Sequence, residues 1–214
     1  MTDPILFGAA YSVYVRAARL ALEEKGVPYR LVEIDIFAAD GPPPDYLERH
    51  PFKRIPAFEH DGFRLYEAGA ITRYVDDAFA GPPLMPSTPR ARARANQIIS
   101  IIDSYGYRPL IWDIFVERVR APAEGRGTDE AKIAAAIPKA RLCLQALGEL
   151  ADSKGPYLTD SGVTLADLHA APMVAYFSMA KEGAELLAAQ PRLLAWWHAM
   201  RERPSMAATR SPLE

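Results

Sequence analysis

The sequence is 214 residues long, half of them apolar, and its 25 basic and 27 acidic residues leave a formal net charge of −2 at pH 7. A chain of this length buries one large core or two smaller ones. Its interspersed charges give no electrostatic footprint for nucleic acid, and no apolar run approaches the roughly 18 residues of a membrane helix, so no membrane partner is expected. Met1-Thr2-Asp3-Pro4 leads into an apolar strand and not into a signal sequence, so the expected location is cytoplasmic. Cys143, the one cysteine, sits between Leu142 and Leu144 in a helical pattern. That excludes a disulfide framework and a metal cluster, and reads as a buried structural thiol; no metal is expected.

Ile5-Leu6-Phe7 reads as a short strand, Val13 to Lys25 as a helix, and Arg30 to Ile36 as a strand with Val32, Ile34 and Ile36 on one face. Gly26 ends that helix in the left-handed conformation and Pro28 stops it. Ala9-Ala10-Tyr11-Ser12 joins the first strand to the helix, with Ser12 the candidate N-cap. A loop containing Gly41-Pro42-Pro43-Pro44 follows, and then Ile55-Pro56 stands before Ala57-Phe58-Glu59-His60. Proline has no N–H to give a ladder, so it opens a strand. Asp61-Gly62 spells a type I′ hairpin into Phe63-Arg64-Leu65-Tyr66, which ends at Glu67. Ala70, Ile71, Tyr74, Val75 and Ala78 then recur at helical spacing. The expected first unit is a right-handed crossover between parallel strands, with an antiparallel hairpin added to the same sheet.

Gly81-Pro82-Pro83-Leu84-Met85-Pro86 breaks every periodicity, and nothing after it reads as strand. The expected domains are 1–80, a linker over 81–89, and an all-helical domain over 90–214. Ile98, Ile101, Ile102 and Tyr105 run on through Trp112, Phe115 and Val119 in one long helix that Pro109 should bend. A second helix spans roughly Thr128 to Ala151, and a last one carries Leu193, Leu194, Trp196, Trp197 and Met200. Between them, Thr164-Leu165-Ala166-Asp167 is a capping box with Asp in place of Glu, which gives Asp167 a structural role, and His169 reads as a core or interface histidine.

Chemistry gathers at two helix starts. Beside Pro56, Glu67 attracts an ammonium while the free N–H groups of the next helix attract a carboxylate, a combination suited to a small zwitterion or a peptide cofactor. Ser12 puts a hydroxyl beside the free amides of the first helix, where an anion would be stabilised. Lowering a ligand thiol by about two pH units from its usual value near 8.5 needs roughly 2.7 kcal/mol, which one charge-assisted hydrogen bond and a helix dipole can supply. Tyr11 and Tyr14 are competing hydroxyl donors. The plainer alternative is that Pro56 starts a strand, Glu67 complements a dipole and Ser12 caps a helix.

Over essentially its whole length the chain resembles the glutathione transferases. Ser12-Val13-Tyr14-Val15-Arg16 followed by Leu20-Ala21-Leu22-Glu23-Glu24-Lys25-Gly26 is similar to their first helix, and His50-Pro51-Phe52-Lys53-Arg54-Ile55-Pro56 to their cis-proline loop. Thr164-Leu165-Ala166-Asp167-Leu168-His169 with Pro172 is most similar to the phi class of plants and its bacterial relatives. The resemblance implies an α+β chain with a thioredoxin-like N-terminal domain followed by an all-helical C-terminal domain, working as a cytoplasmic detoxifying homodimer. It implies glutathione as co-substrate, bound through Ser12 at the sulfur, the Ile55 backbone beside Pro56 at the cysteinyl unit, and Glu67 with the Ala68 N–H at the γ-glutamyl end.

Against the phi pattern, Ala68 stands in place of Ser, Lys53-Arg54 in place of Gly-Gln, and Gly41-Pro42 in place of His-Lys. Arg54, helped by Lys53, would reach the glycine carboxylate. The expected activity is thiolate attack on apolar electrophiles or organic hydroperoxides, with a glutathione peroxidase side activity; the alternative is a non-enzymatic relative that uses the fold for binding or partner contacts. The electrophile is expected between the domains against Tyr11, Tyr105, Trp112 and Phe115. Arg90, Arg92 and Arg94 crowd a helix start, which points to acidic partners such as Asp76 and Asp77 of a second subunit.

Overall fold

Ile5–Phe7 (β1) pairs in parallel with Arg30–Val32 (β2) and antiparallel with Ala57–His60 (β3), which pairs antiparallel with Phe63–Tyr66 (β4), giving the order β2-β1-β3-β4. Asp61 and Gly62 both have positive φ, 48° and 80°, as a type I′ hairpin requires. β2 is shorter than the expected 30–36. Its ladder ends with Phe7 opposite Val32 and Gly8 N–H on Val32 O at 2.9 Å, because β1 has by then turned towards its helix. Ile34 is still buried and Ile36 half-buried, so the alternating face outlasts the hydrogen bonds.

The crossover helix is Val13–Lys25 (α1), closed by Gly26 at φ 66°, and Ala68–Ala78 (α2) follows β4. Leu6, Val15, Leu20, Leu22, Phe58 and Ile71 form the dry centre of this unit. Lys25 spans it to the linker, its ammonium donating to Asp76 O at 2.9 Å, Asp76 Oδ1 at 3.1 Å and Pro82 O at 3.2 Å, while Leu84 N–H donates to the same carboxylate oxygen. Gly81 is needed there, since a Cβ would lie 2.8 Å from Lys25 O. Asp76 is therefore used inside its own unit and is not free to meet a second subunit's arginines. Arg92 donates to Pro86 O and Arg94 to Gln97 Oε1, so two of the three crowded cations are also answered locally.

The computed structural model describes residues 2–151, 155–159 and 162–214, and divides into Met1–Leu84 with Pro204–Glu214 and, separately, Met85–Arg203. The helical unit thus ends earlier than the expected 90–214. Pro204–Ala208 (α9) and the residues after it lie on α1: buried Arg16 pairs with Glu214 and donates to Met206 O at 3.1 Å, and Arg19 donates to Ala208 O and Thr209 O.

In the second unit Pro89–Ile101 (α3) runs into Ile102–Arg120, which has the wider turn of a π-helix, and closes with Ala121–Ala123 (α4). Pro109, where a bend was expected, lies within this wide turn, a register that relieves the clash of a proline ring with the carbonyl four residues back. Glu130–Leu150 (α5), Leu165–Phe177 (α6), Lys181–Ala188 (α7) and Pro191–Arg201 (α8) complete it. Of these, α7 was not anticipated from the sequence. Cys143 is buried on α5, and burial pushes its thiol up to about 11. His169 is buried, with Nδ1 3.6 Å from Asp103 Oδ2. Among the described residues, no helix is long and apolar enough to cross a membrane.

Candidate active site

Strand register assembles the site. Phe7 is opposite Ala57, and Ala57 opposite Tyr66, so the end of β1, the start of β3 and the end of β4 form one row at one end of the sheet. Ser12 follows the first of these, Pro56 precedes the second and Glu67 follows the third. Gly8 lets two of the segments close up: a Cβ there would overlap Cγ2 of Val15, in the first turn of α1, and lie 3.3 Å from Cβ of Ile55.

Ser12 is the N-cap of α1, with φ −79° and ψ 128°, and its Oγ accepts the Val15 N–H over a long 3.4 Å. It is half-buried, and a hydroxyl that accepts from its helix still has its proton to donate. Tyr11 is placed differently: its hydroxyl donates to Asp35 Oδ1 at 2.8 Å, and its ring tilts against Phe37 at 6.1 Å. That commits its proton to a carboxylate, whereas Tyr14 is half-buried on α1.

The Ile55-Pro56 peptide is cis, and both residues are buried. Tyr46 holds the loop from below, its hydroxyl donating to Arg54 O at 2.7 Å, which leaves the Lys53 and Arg54 side chains exposed. Lys53 has φ 54°. Glu67 is exposed at the N-cap of α2 with φ 72° and ψ 117°, a conformation uncommon for any residue with a side chain. Its carbonyl accepts from Ala70 and Ile71, both at 3.0 Å, so the corner holds its shape, and its side chain makes no capping hydrogen bond to the helix. Ala68 is the first residue of α2 and buried. A carboxylate, helix-start amides, a cis-proline edge and a hydroxyl are thus carried by segments that leave one end of the sheet, groups of the kind that can hold a short zwitterionic peptide and steady one anion.

Asp35, Tyr46 and His50 also shape this rim and were not anticipated from the sequence. Tyr46 carries no local signal beyond an aromatic in a proline-rich loop, and His50 was read only as the first residue of the cis-proline loop segment. Asp35 was assigned to a strand that ends earlier.

The second unit does not gather its three expected residues on one surface. Tyr105 is exposed, Trp112 is half-buried and edge-on to Tyr107, and Phe115 is 2% exposed and stacked on Tyr176 at 4.4 Å. Phe115 is therefore a core residue, corrected from the expected substrate contact.

The family model for the glutathione S-transferase N-terminal domain matches residues 6–83, and that for the C-terminal domain matches residues 105–204. A probable glutathione S-transferase of rice, Oryza sativa subsp. japonica, is 30% identical over 218 residues, covering 99% of this chain and 99% of the relative. Among solved structures, glutathione S-transferase III in its apo form superposes with a TM-score of 0.86 at 27% identity, covering 100% of this chain and 99% of that one. Glutathione S-transferase I from maize, in complex with an atrazine glutathione conjugate, gives 0.81 at 26% identity, covering 97% and 96%. The chain belongs to the glutathione S-transferase family and is an enzyme of that family, a glutathione transferase, with its similarity to the plant phi class.

Proposed function

We propose that this transferase activates glutathione through Ser12 and directs the thiolate at apolar electrophiles or organic hydroperoxides. The observation that carries the reading is the shared end of the sheet, where Phe7, Ala57 and Tyr66 stand in one row, with Ser12 following the first, Pro56 preceding the second and Glu67 following the third. In this reading the γ-glutamyl ammonium pairs with Glu67 and its carboxylate takes the Ala68 N–H. The cysteinyl amide lies along the Ile55 backbone beside Pro56, and Arg54 with Lys53 answers the glycine carboxylate. Extended between these points, the peptide brings its sulfur to the start of α1, where the Ser12 hydroxyl donates to the thiolate and the helix dipole adds to it. The proton leaves to water and the sulfur bonds to the electrophilic carbon as its leaving group departs, or to an oxygen of the hydroperoxide as the O–O bond breaks and the alcohol is released, a second glutathione then turning the sulfenic acid into disulfide and water. No protein base is required.

Tyr11, fixed by Asp35, is the proposed contact for the electrophile's apolar body. The maize relative's atrazine conjugate supports an apolar aromatic substrate class. A cytoplasmic detoxifying homodimer is proposed on the family's pattern, with the exposed Phe52 and Tyr66 of the first unit as apolar groups for a second copy. The test is conjugation of glutathione to chlorodinitrobenzene and reduction of cumene hydroperoxide, with sedimentation at micromolar concentration. Turnover of small charged acids but not of either apolar substrate overturns the substrate class.

A further inference from the structure

His50 opens the loop that carries Lys53, Arg54, Ile55 and Pro56, and it is 1% exposed. Its ring lies 4.9 Å from that of Tyr66, 6.5 Å from that of Tyr46 and 6.3 Å from that of Phe52. Its amide donates to Tyr46 O and its carbonyl accepts from Lys53 N–H, so the residue is fixed at both ends of its peptide unit. Its Nδ1 is sealed from solvent with no hydrogen-bond partner. The rings packed on it are those of Tyr46, Phe52 and Tyr66. The phenol of Tyr46 is spent on Arg54 O, and Tyr66 offers its ring.

The charges that act on the imidazole are those of the site itself, Glu67 directly after Tyr66 and Arg54 on its own loop. Burial lowers the pKa of His50 and outweighs the rest: the Glu67 charge raises it, the Arg54 charge lowers it, and the ring's closeness to its own backbone raises it, although no contact there reaches hydrogen-bond geometry. The imidazole is therefore neutral at neutral pH. A proton arriving on it would create a buried cation needing an anion, and Glu67 is the anion that acts on it.

We propose that His50 is a positioning residue that couples glutathione binding to a proton: neutral, it leaves the Glu67 carboxylate for the ligand's ammonium, and protonated, it draws that carboxylate to itself. The inference rests on the reading of Glu67 as the γ-glutamyl partner.

The test uses S-methylglutathione, which has no thiol to titrate. Its dissociation constant is measured by calorimetry from about pH 5 to about pH 7.5, either side of the ordinary histidine value, on the wild type, His50→Phe and His50→Gln. The wild type should bind at least about fivefold more weakly at the acid end, a coupling of ordinary size, while both variants stay flat. Linkage is reciprocal, so saturating ligand should lower the midpoint of the His50 ring resonance by the logarithm of that factor, about 0.7 pH unit. If the variants do not fold, this wild-type titration decides alone. Wild-type binding that is flat with pH, an equal acid weakening in the variants, or an unmoved His50 midpoint overturns the proposal and leaves the glutathione site standing. No binding at any pH overturns the site and the proposal together.

Discussion

The indole N–H of Trp196 donates to Oδ1 of Asp167 at 2.8 Å, tying α8 to the first turn of α6 through a carboxylate with no solvent exposure. The same group accepts the Leu158 N–H at 2.8 Å, the Thr164 N–H at 2.7 Å and the Thr164 hydroxyl at 2.8 Å. Burial pushes its pKa up and these four donors oppose the shift. Asp167→Ala would leave four buried donors unanswered and should destabilise the helical unit by about 3–5 kcal/mol, with Trp196→Phe costing about 1–2 kcal/mol. Urea unfolding measures both, and a loss under about 1 kcal/mol for Asp167→Ala contradicts the hub.

Ser12→Ala should slow conjugation roughly ten- to a hundredfold, the worth of one hydrogen bond to a charged group. The bound thiol would also regain a higher pKa, so the rate profile should move to alkaline pH. The ultraviolet thiolate band of bound glutathione reports this directly. An unchanged band in Ser12→Ala together with a shifted one in Tyr14→Phe would reassign the donor.

Gly8→Ala tests the closure of the site. The added methyl must push α1's first turn or Ile55 aside, at about 1–3 kcal/mol of stability. Glutathione affinity should fall with it, because Ser12 and Ile55 lie on the two displaced segments. Normal stability and affinity in this variant would show that the segments yield without cost.

Ala68→Ser adds a hydroxyl where the γ-glutamyl carboxylate is proposed to lie. Affinity for glutathione should rise up to about tenfold, since a hydrogen bond to a charged group gives about 1.5–3 kcal/mol less what water already supplies. Calorimetry on both proteins decides it, and equal affinity moves Ala68 away from that end of the ligand.

Stability should also depend on pH through His50. Its folded pKa lies below the ordinary 6.5, so between those two values the unfolded chain binds more protons than the folded one. Stability is then full above about 6.5 and is lost as the pH falls towards the folded value. His50→Phe should flatten that part of the thermal-melting profile, and an unchanged slope would assign it to another group.

Legibility differed by the range of the contacts. α1, the type I′ turn and the Thr164–Asp167 box could be read because each is set by neighbours within one turn of chain. β2 was overextended because its length depends on β1, and residue alternation at Val32, Ile34 and Ile36 continues without a partner strand. Pro56 and Glu67 could be placed together through the hairpin between them, and the family resemblance added Ser12; the row of Phe7, Ala57 and Tyr66 that brings their three segments to one end of the sheet depends on strand register. Phe115 was misread because an aromatic at helical spacing has the same pattern in a core and in a cleft. Tyr46 under Arg54 and Asp35 on Tyr11 rest on contacts across loops, which leave no periodic trace.

Arg16 and Glu214 meet although 198 positions separate them in the sequence. The first unit is therefore a discontinuous body, sewn from an early and a late stretch of chain. Its last seam requires the closing of a very long loop, whose entropy must be met before the buried arginine gains its counter-ion. During synthesis the sheet and α1 emerge first but wait for Pro204–Glu214 until the whole helical unit has been made. Substitutions at Arg16 or loss of Pro204–Glu214 should thus act chiefly on the late steps of assembly and on the yield of finished protein.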